Sequence, residues 1–323
     1  KKIICGICRV GGRVIISASR RTDIPAFYAD WFYNRLGKGY CTVFNPFNRN
    51  QVKYVSLKPK DVDIIIFWTK HSKAFRSRLH QLDDLKIPYY FQYTLVHYSQ
   101  EIETKVPKYE KLQDEFLRLA DQVGPDRIIW RYDPIIISKD YTPERHIEYF
   151  QEIAQKLKGS TRRVIISIVD YYQKTLRNMK GYNRQGELDE NPEDKIEFGT
   201  FIQDLANISK SNGFEIQSCA EPIEMDQYGV SHGKCIDDNY IAKVFHLDVW
   251  HKKDTGQRKE CGCVKSVDIG VYDTCLHGCQ YCYATKQHKS AKKNYNAHDP
   301  NSPSILGWYD AEPPKADPQE KLF

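Results

Sequence analysis

No apolar stretch in this chain is long enough to span a bilayer. The run Ile64-Ile65-Ile66-Phe67-Trp68 falls far short of the roughly 20 residues a membrane helix needs. Also missing is an amino-terminal basic region followed by a long apolar segment and a cleavage site, so the expectation is a cytoplasmic protein with no membrane partner. Residue 1 is lysine, which leaves room for an upstream stretch. No G-x4-G-K-[ST] loop, G-x-G-x-x-G fingerprint, G-x-S-x-G elbow or H-E-x-x-H motif occurs, so the function classes built on them receive no support. Internal repeats and low-complexity tracts are absent. Charge is not strongly one-sided: 48 Lys and Arg against 42 Asp and Glu leave +6 over 323 residues. That excess suits an anionic ligand without marking a nucleic-acid binder.

Hydrophobic residues make up 41% of the chain, enough for a large core. Short apolar strands alternate with amphipathic helices. Strands are expected at 14–18, 64–68, 89–96, 128–132, 164–169, 214–218 and 267–272. Residues 42–47 and 52–57 flank Asn48-Arg49-Asn50 as a hairpin-like excursion. Helices are expected from about Pro25 to Leu36, on Tyr109, Leu112, Phe116, Leu119 and Val123, after Thr142-Pro143-Glu144, and after a polar loop at 186–194. This alternation predicts an α/β fold with a parallel sheet, as a partial or full TIM-like barrel, with a doubly wound open sheet as the alternative. The expected organisation is an extension at 1–13, a barrel over 14–222 and 264–290, an irregular cysteine-rich insertion at 223–263, and an extended tail at 291–323.

Ten cysteines are abundant for a chain of this kind, and seven of them lie between 219 and 282. Such clustering in a reduced compartment points to metal or redox chemistry rather than disulfides. Cys275, Cys279 and Cys282 form C-x3-C-x2-C on a loop after a strand. Three thiolates so spaced can hold three irons of a [4Fe–4S] cube and leave the fourth open to a small molecule. Structural zinc, which usually closes with four ligands, and inert core thiols are the competing readings.

Residues 268–284 resemble the first strand and cluster loop of the radical S-adenosylmethionine (SAM) superfamily, with Tyr281 at its aromatic position. The Cys-x-Tyr-Cys-Tyr ending is also similar to spore photoproduct lyases. Over residues 14 to about 307 the chain resembles a bacterial family of unknown function with Ser-Arg-Arg-Thr-Asp-Ile-Pro near its start. The resemblance implies a [4Fe–4S] cluster that binds and reductively cleaves SAM, an electron donor such as flavodoxin or ferredoxin, and a substrate that is either a small molecule or a nucleic acid. It also implies that Tyr281 contacts the adenine side through its backbone. Radical SAM proteins carry this loop after the first strand, whereas here it follows the last, which implies circular permutation with 267–272 beside 14–18. The strand at 14–18 then ends in Ser19-Arg20-Arg21-Thr22-Asp23 where the superfamily has a Gly-Gly-Glu-like motif. Asp23 or the Ser19 strand-end backbone would take the methionyl amine, and Arg20 or Arg21 the carboxylate. A solvated or core-bridging arginine pair is the competing reading.

Cys219, Cys235, Cys261 and Cys263 could close a second [4Fe–4S] cluster or a zinc site. Cys5 and Cys8 read as reduced thiols or as spare ligands to that site. Arg131 and Asp133 flank Tyr132 at a strand end and are candidate catalytic residues, with a structural ion pair as the competing reading. Cys41 reads as core, with a hydrogen-donor thiol as the sharper option. His277 reads as a donor behind the cluster or an exposed residue. His232 has no assigned role.

Overall fold

A computed structural model describes residues 13–182, 188–189, 191–195 and 197–313. Cys5, Cys8 and parts of the 186–194 loop lie outside the described residues. The strands are β1 (Val14–Ala18), β2 (Tyr40–Asn45), β3 (Asn48–Ser56), β4 (Val62–Thr69), β5 (Tyr89–Thr94), β6 (Ile128–Ile135), β7 (Arg163–Ile168), β8 (Glu215–Cys219), β9 (Ser231–Gly233) and β10 (Val267–Asp268). Eight of them form one sheet in the order β10-β1-β4-β5-β6-β7-β8-β9, parallel at every pairing. The late β10 lies beside β1, with Ser17 opposite Asp268. β2 and β3 form a separate antiparallel hairpin.

The continuous apolar runs of the central strands serve two faces, because successive side chains point to opposite sides. Ile65, Phe67, Phe91, Trp130 and Ile166 join Phe116, Phe150 and Leu205 from the helices Tyr109–Val123, Pro143–Leu157 and Glu197–Ser211. Ile15, Ile64, Ile66, Tyr90, Ile129 and Ile165 form the other face, against Ile236, Tyr240, Ile241 and Val264. The segment expected as irregular therefore supplies a layer of the core. It contains β9 and a helix, Asp238–Phe245, whose cap Asp237 accepts from the N–H groups of Asn239 and Tyr240 at 3.0 and 3.2 Å. Asp237 also pairs with the buried Arg163 of β7 at 2.8 Å, which pins the helix to the sheet.

Other expectations shift locally. The hairpin turns at Pro46-Phe47 rather than Asn48–Asn50, because the Asn45 side chain accepts from the Phe47 N–H at 2.9 Å. The first helix breaks at Tyr28 into Ile24–Phe27 and Ala29–Lys38. β10 is two residues long rather than six, since Asp268 turns its carboxylate back onto β1 and the chain leaves the ladder. The carboxyl-terminal segment begins with a helix, His288–Asn296, instead of running extended. It then docks through the Trp31 indole N–H to the Ser302 carbonyl at 3.0 Å and the Thr42 N–H to the Pro303 carbonyl at 2.8 Å. Among the described residues, no helix is long and apolar enough to cross a membrane.

His146 sits 1% exposed beneath the sheet, with Nδ1 at 2.7 Å from the Tyr132 hydroxyl and Nε2 at 2.9 Å from the Ile136 carbonyl. The phenol donates to one nitrogen and the other N–H donates to the carbonyl, which suits the neutral ring. Burial lowers its pKa from 6.5 to about 4. The unfolded chain therefore binds the extra proton first. The contribution is complete above pH 6.5 and is lost as pH falls toward about 4. Between pH 7 and pH 5 the stability advantage over His146→Gln is expected to shrink by about 2 kcal/mol in denaturant titrations. A constant difference between the two proteins across that range would refute this.

Candidate functional site

Loops at the carboxyl ends of the parallel strands enclose a cavity of about 390 Å³. This is where ligands bind in parallel α/β folds. Its wall takes Arg20, Arg21 and Asp23 after β1, Trp68 to Lys70 at β4, Arg131 and Asp133 at β6, and Ser167 at β7. Seven of the eight described cysteines also line it. All eight are free thiols.

Cys275, Cys279 and Cys282 sit on the loop that follows β10. A neighbouring segment clamps that loop through backbone bonds: Lys105 N–H to the His277 carbonyl and Gln280 N–H to the Ile102 carbonyl, both at 2.9 Å. Thr104 Oγ1 donates to the Gly278 carbonyl at 3.0 Å. Gly278 has φ +70°, and a Cβ there would fall 2.2 Å from Thr104 Oγ1, so both backbone and space call for glycine. Burial pushes the Cys275 and Cys279 thiols up; Glu103 adds to the rise at Cys279, and Lys70 opposes it. Lys70 pairs with Glu103 at 2.7 Å, and the Tyr281 hydroxyl donates to the same Glu103 oxygen.

The residues after β1 are tied to structure more than the sequence suggested. Asp23 accepts from Ala26 N–H at 3.0 Å as a helix cap, from Lys70 N–H at 2.8 Å, and faces His277 Nε2 at 2.8 Å. Its carboxylate is thus already engaged on both oxygens. His277 is buried, not exposed. Ser19 Oγ donates to Asp268 at 2.7 Å and accepts from Arg21 N–H at 2.8 Å. Arg21 lies over the Tyr272 ring, 5.1 Å from its centroid. Arg20 lies over Trp68 at 5.5 Å and near Asp254 at 3.8 Å, and its Nη2 is buried without a partner.

On another part of the wall the remaining four sulfurs run in file. Cys219 Sγ lies 2.9 Å from Cys235 Sγ, Cys235 contacts Cys263, and Cys263 contacts Cys261. Thiols donating from Cys219 and Cys263 hold Cys235 well below the usual thiol value, helped by Arg131 and Arg20. The contact with Cys263 likewise brings Cys261 down to about 6. Arg131 donates through Nη1 to Cys235 Sγ at 2.8 Å, and through Nε and Nη2 to Asp133 at 2.8 and 2.5 Å. The Ser167 hydroxyl donates to the other Asp133 oxygen. Every donor group of Arg131 is therefore occupied, and the expected catalytic pair is an ion pair bound to a thiol. Cys41 is 0% exposed in the apolar core and does not line the cavity, so the hydrogen-donor option is corrected to a core role. Burial pushes its thiol up to about 12. His232 is exposed, with Nε2 at 2.9 Å from the Glu260 carbonyl. Among the described residues, no three His, Cys, Asp or Glu side chains converge as a single-ion site.

A sequence model of the domain of unknown function DUF1848 matches residues 15–284. The chain belongs to the DUF1848 family. No curated protein matches. A candidate alpha-L-fucosidase structure from Bacteroides thetaiotaomicron is 11% identical, over 92% of this chain and 95% of that one, with a TM-score of 0.32. A likeness that weak carries no argument about fold or activity. The DUF1848 span starts in β1 and ends two residues past Cys282, so it takes in both cysteine groups.

Lys70, Glu103 and Asp268 were not singled out from the sequence. Lys70 carried a usable signal, since it directly follows a strand end. Glu103 and Asp268 carried none, because the side chains they bind lie 33 to 251 positions away.

Proposed function

We propose that this DUF1848 chain is an iron–sulfur enzyme of the radical SAM type, and that its parallel sheet is a circularly permuted, TIM-like radical SAM barrel. One observation carries the reading: Cys275, Cys279 and Cys282 all line one cavity at the carboxyl ends of the strands. The donor set fits a [4Fe–4S] cluster, being three soft thiols, Cys279 buried and Cys275 and Cys282 half-buried, none engaged in a disulfide. Cys275, Cys279 and Cys282 would hold a cluster there, which would supply the electron for reductive cleavage of SAM and the hydrogen abstraction that follows. The pairing of β10 with β1 supports permutation, because it returns the cluster loop to the side of the first strand.

The chain's own residues bind, orient and exclude water. The free Nη2 of Arg20 can take the carboxylate of the methionyl group. The Glu103–Lys70 pair holds Tyr281, and with it the cluster loop, against the cavity. Trp68, Tyr281 and Tyr283 give apolar walls that keep water from a reactive centre. The free thiols suit a reducing cytoplasm, with flavodoxin or ferredoxin as electron donor and a small molecule or nucleic acid as substrate.

The test is anaerobic purification, then iron and sulfide analysis and an assay for 5′-deoxyadenosine after reduction with SAM present. Formation of 5′-deoxyadenosine is expected. Intact clusters without that product would overturn the catalytic reading, and zinc without sulfide would replace it with a binding protein.

A further inference from the structure

We propose that Cys219, Cys235, Cys261 and Cys263 hold a second iron–sulfur site, closed by four thiolates, with Arg131 as the positioning residue that fixes its charge. This goes beyond the proposed SAM chemistry and does not depend on it.

Three independent features bring the four sulfurs together. First, β8 and β9 place Cys219 opposite Gly233 in register, two residues before Cys235. A Cβ on Gly233 would lie 2.6 Å from the Ser218 carbonyl, so glycine permits that close approach. Second, Gly262 lets Cys261 and Cys263 face the same sulfurs, with Lys234 Cγ only 3.1 Å from where its Cβ would be. Third, N–H donors already point at sulfur: Arg131 Nη1 to Cys235 at 2.8 Å and Ile236 N–H to Cys263 at 3.4 Å. Hydrogen bonds and fixed cations around cluster sulfurs are the protein's means of tuning such centres.

The neighbouring thiols and the N–H donors favour iron–sulfur over zinc. Zinc gathers four thiolates tetrahedrally about one point. Among the described residues, no three His, Cys, Asp or Glu side chains converge on a single ion, so a zinc site is not preformed. A cube takes each thiolate on a different iron and so holds the sulfurs farther apart than the 2.9 Å between Cys219 and Cys235, which part as the cluster is built. The file shares its cavity with Cys275, Cys279 and Cys282, which places the two donor sets for electron exchange. Arg131, 5% exposed and locked to Asp133, supplies a fixed positive charge where a cluster gains an electron.

The decisive protein is the full chain with Cys275→Ala, Cys279→Ala and Cys282→Ala, reconstituted anaerobically with iron and sulfide. It is expected to retain about four irons and four sulfides, with an electron paramagnetic resonance signal on reduction, and to lose both when Cys235→Ala and Cys263→Ala are added. With Cys275, Cys279 and Cys282 intact, the chain is expected to hold about four more irons than its Cys235→Ala, Cys263→Ala variant, which decides the matter even where the triple variant aggregates. Arg131→Gln in the triple background is expected to lower the cluster's midpoint potential. A triple variant without iron, or with zinc and no sulfide, would overturn the proposal. An unchanged potential would overturn the role of Arg131. SAM cleavage is read separately in the unmutated chain, so failure of the enzyme reading leaves these outcomes distinct.

Discussion

Cys279→Ala, purified without oxygen, is expected to form no 5′-deoxyadenosine above background while keeping its fold. The substitution deletes one buried sulfur and nothing of the clamp around it. Gln280 N–H still reaches the Ile102 carbonyl, and Glu103 still bridges to residue 279 through backbone. Removing so few atoms from a packed site costs about 1 kcal/mol. Loss of one of three cluster thiolates, by contrast, removes an iron's anchor, which stability does not compensate. Cys41→Ala is the matched control. It deletes the same atom from the apolar core, away from the cavity, so product formation is expected to persist at a similar small loss of stability. Equal losses of product in both variants would mean that the assay reads folding rather than chemistry. Full activity in Cys279→Ala would sink the cluster assignment.

Asp268→Ala is expected to cost about 3 kcal/mol of stability and to reduce iron incorporation. The carboxylate accepts from Ser17 Oγ and Arg20 N–H at 3.0 Å, Ser19 Oγ at 2.7 Å and Gly270 N–H at 2.9 Å. Truncation leaves those four donors with no acceptor at the junction of β1 and β10. The junction anchors the cluster loop, so its loosening is expected to show as lower iron per chain after reconstitution. Asp268→Asn keeps one accepting oxygen and turns the other into a donor that faces donors, so it is expected to recover part of the loss. Chemical denaturation of the three proteins checks the order, and an alanine variant as stable as the parent would refute it.

The sheet was legible because its strands are continuous apolar runs. Residues 64–68 and 128–132 were expected as strands and lie within β4 and β6, and the helix Tyr109–Val123 matches the helical spacing of its apolar residues. The layer contributed by residues 236–264 was hidden. Ile236, Tyr240, Ile241 and Val264 are scattered among charges, and only the sheet's other face makes them a stripe. The cysteine spacings pointed to two groups of thiols. They could not show that Arg131 would meet Cys235, since the chain beyond β9 folds back over β5, where Tyr90 and Gln92 donate to the Cys235 carbonyl, and so reaches β6. Arg131 and Asp133 were read as candidates because they end a strand. That rule locates a cavity wall without saying whether a side chain serves substrate, metal or neighbour.

The pairing of β1 with β10 has a consequence for biosynthesis. During translation β1 leaves the ribosome long before β10, and its β10-facing edge stays open until about 250 further residues have been made. An unpaired edge of apolar strand is sticky to other nascent chains. The thiols at 275, 279 and 282 emerge later still, after every strand of the sheet has been made. The interval before β10 arrives is therefore when the polypeptide most needs a chaperone.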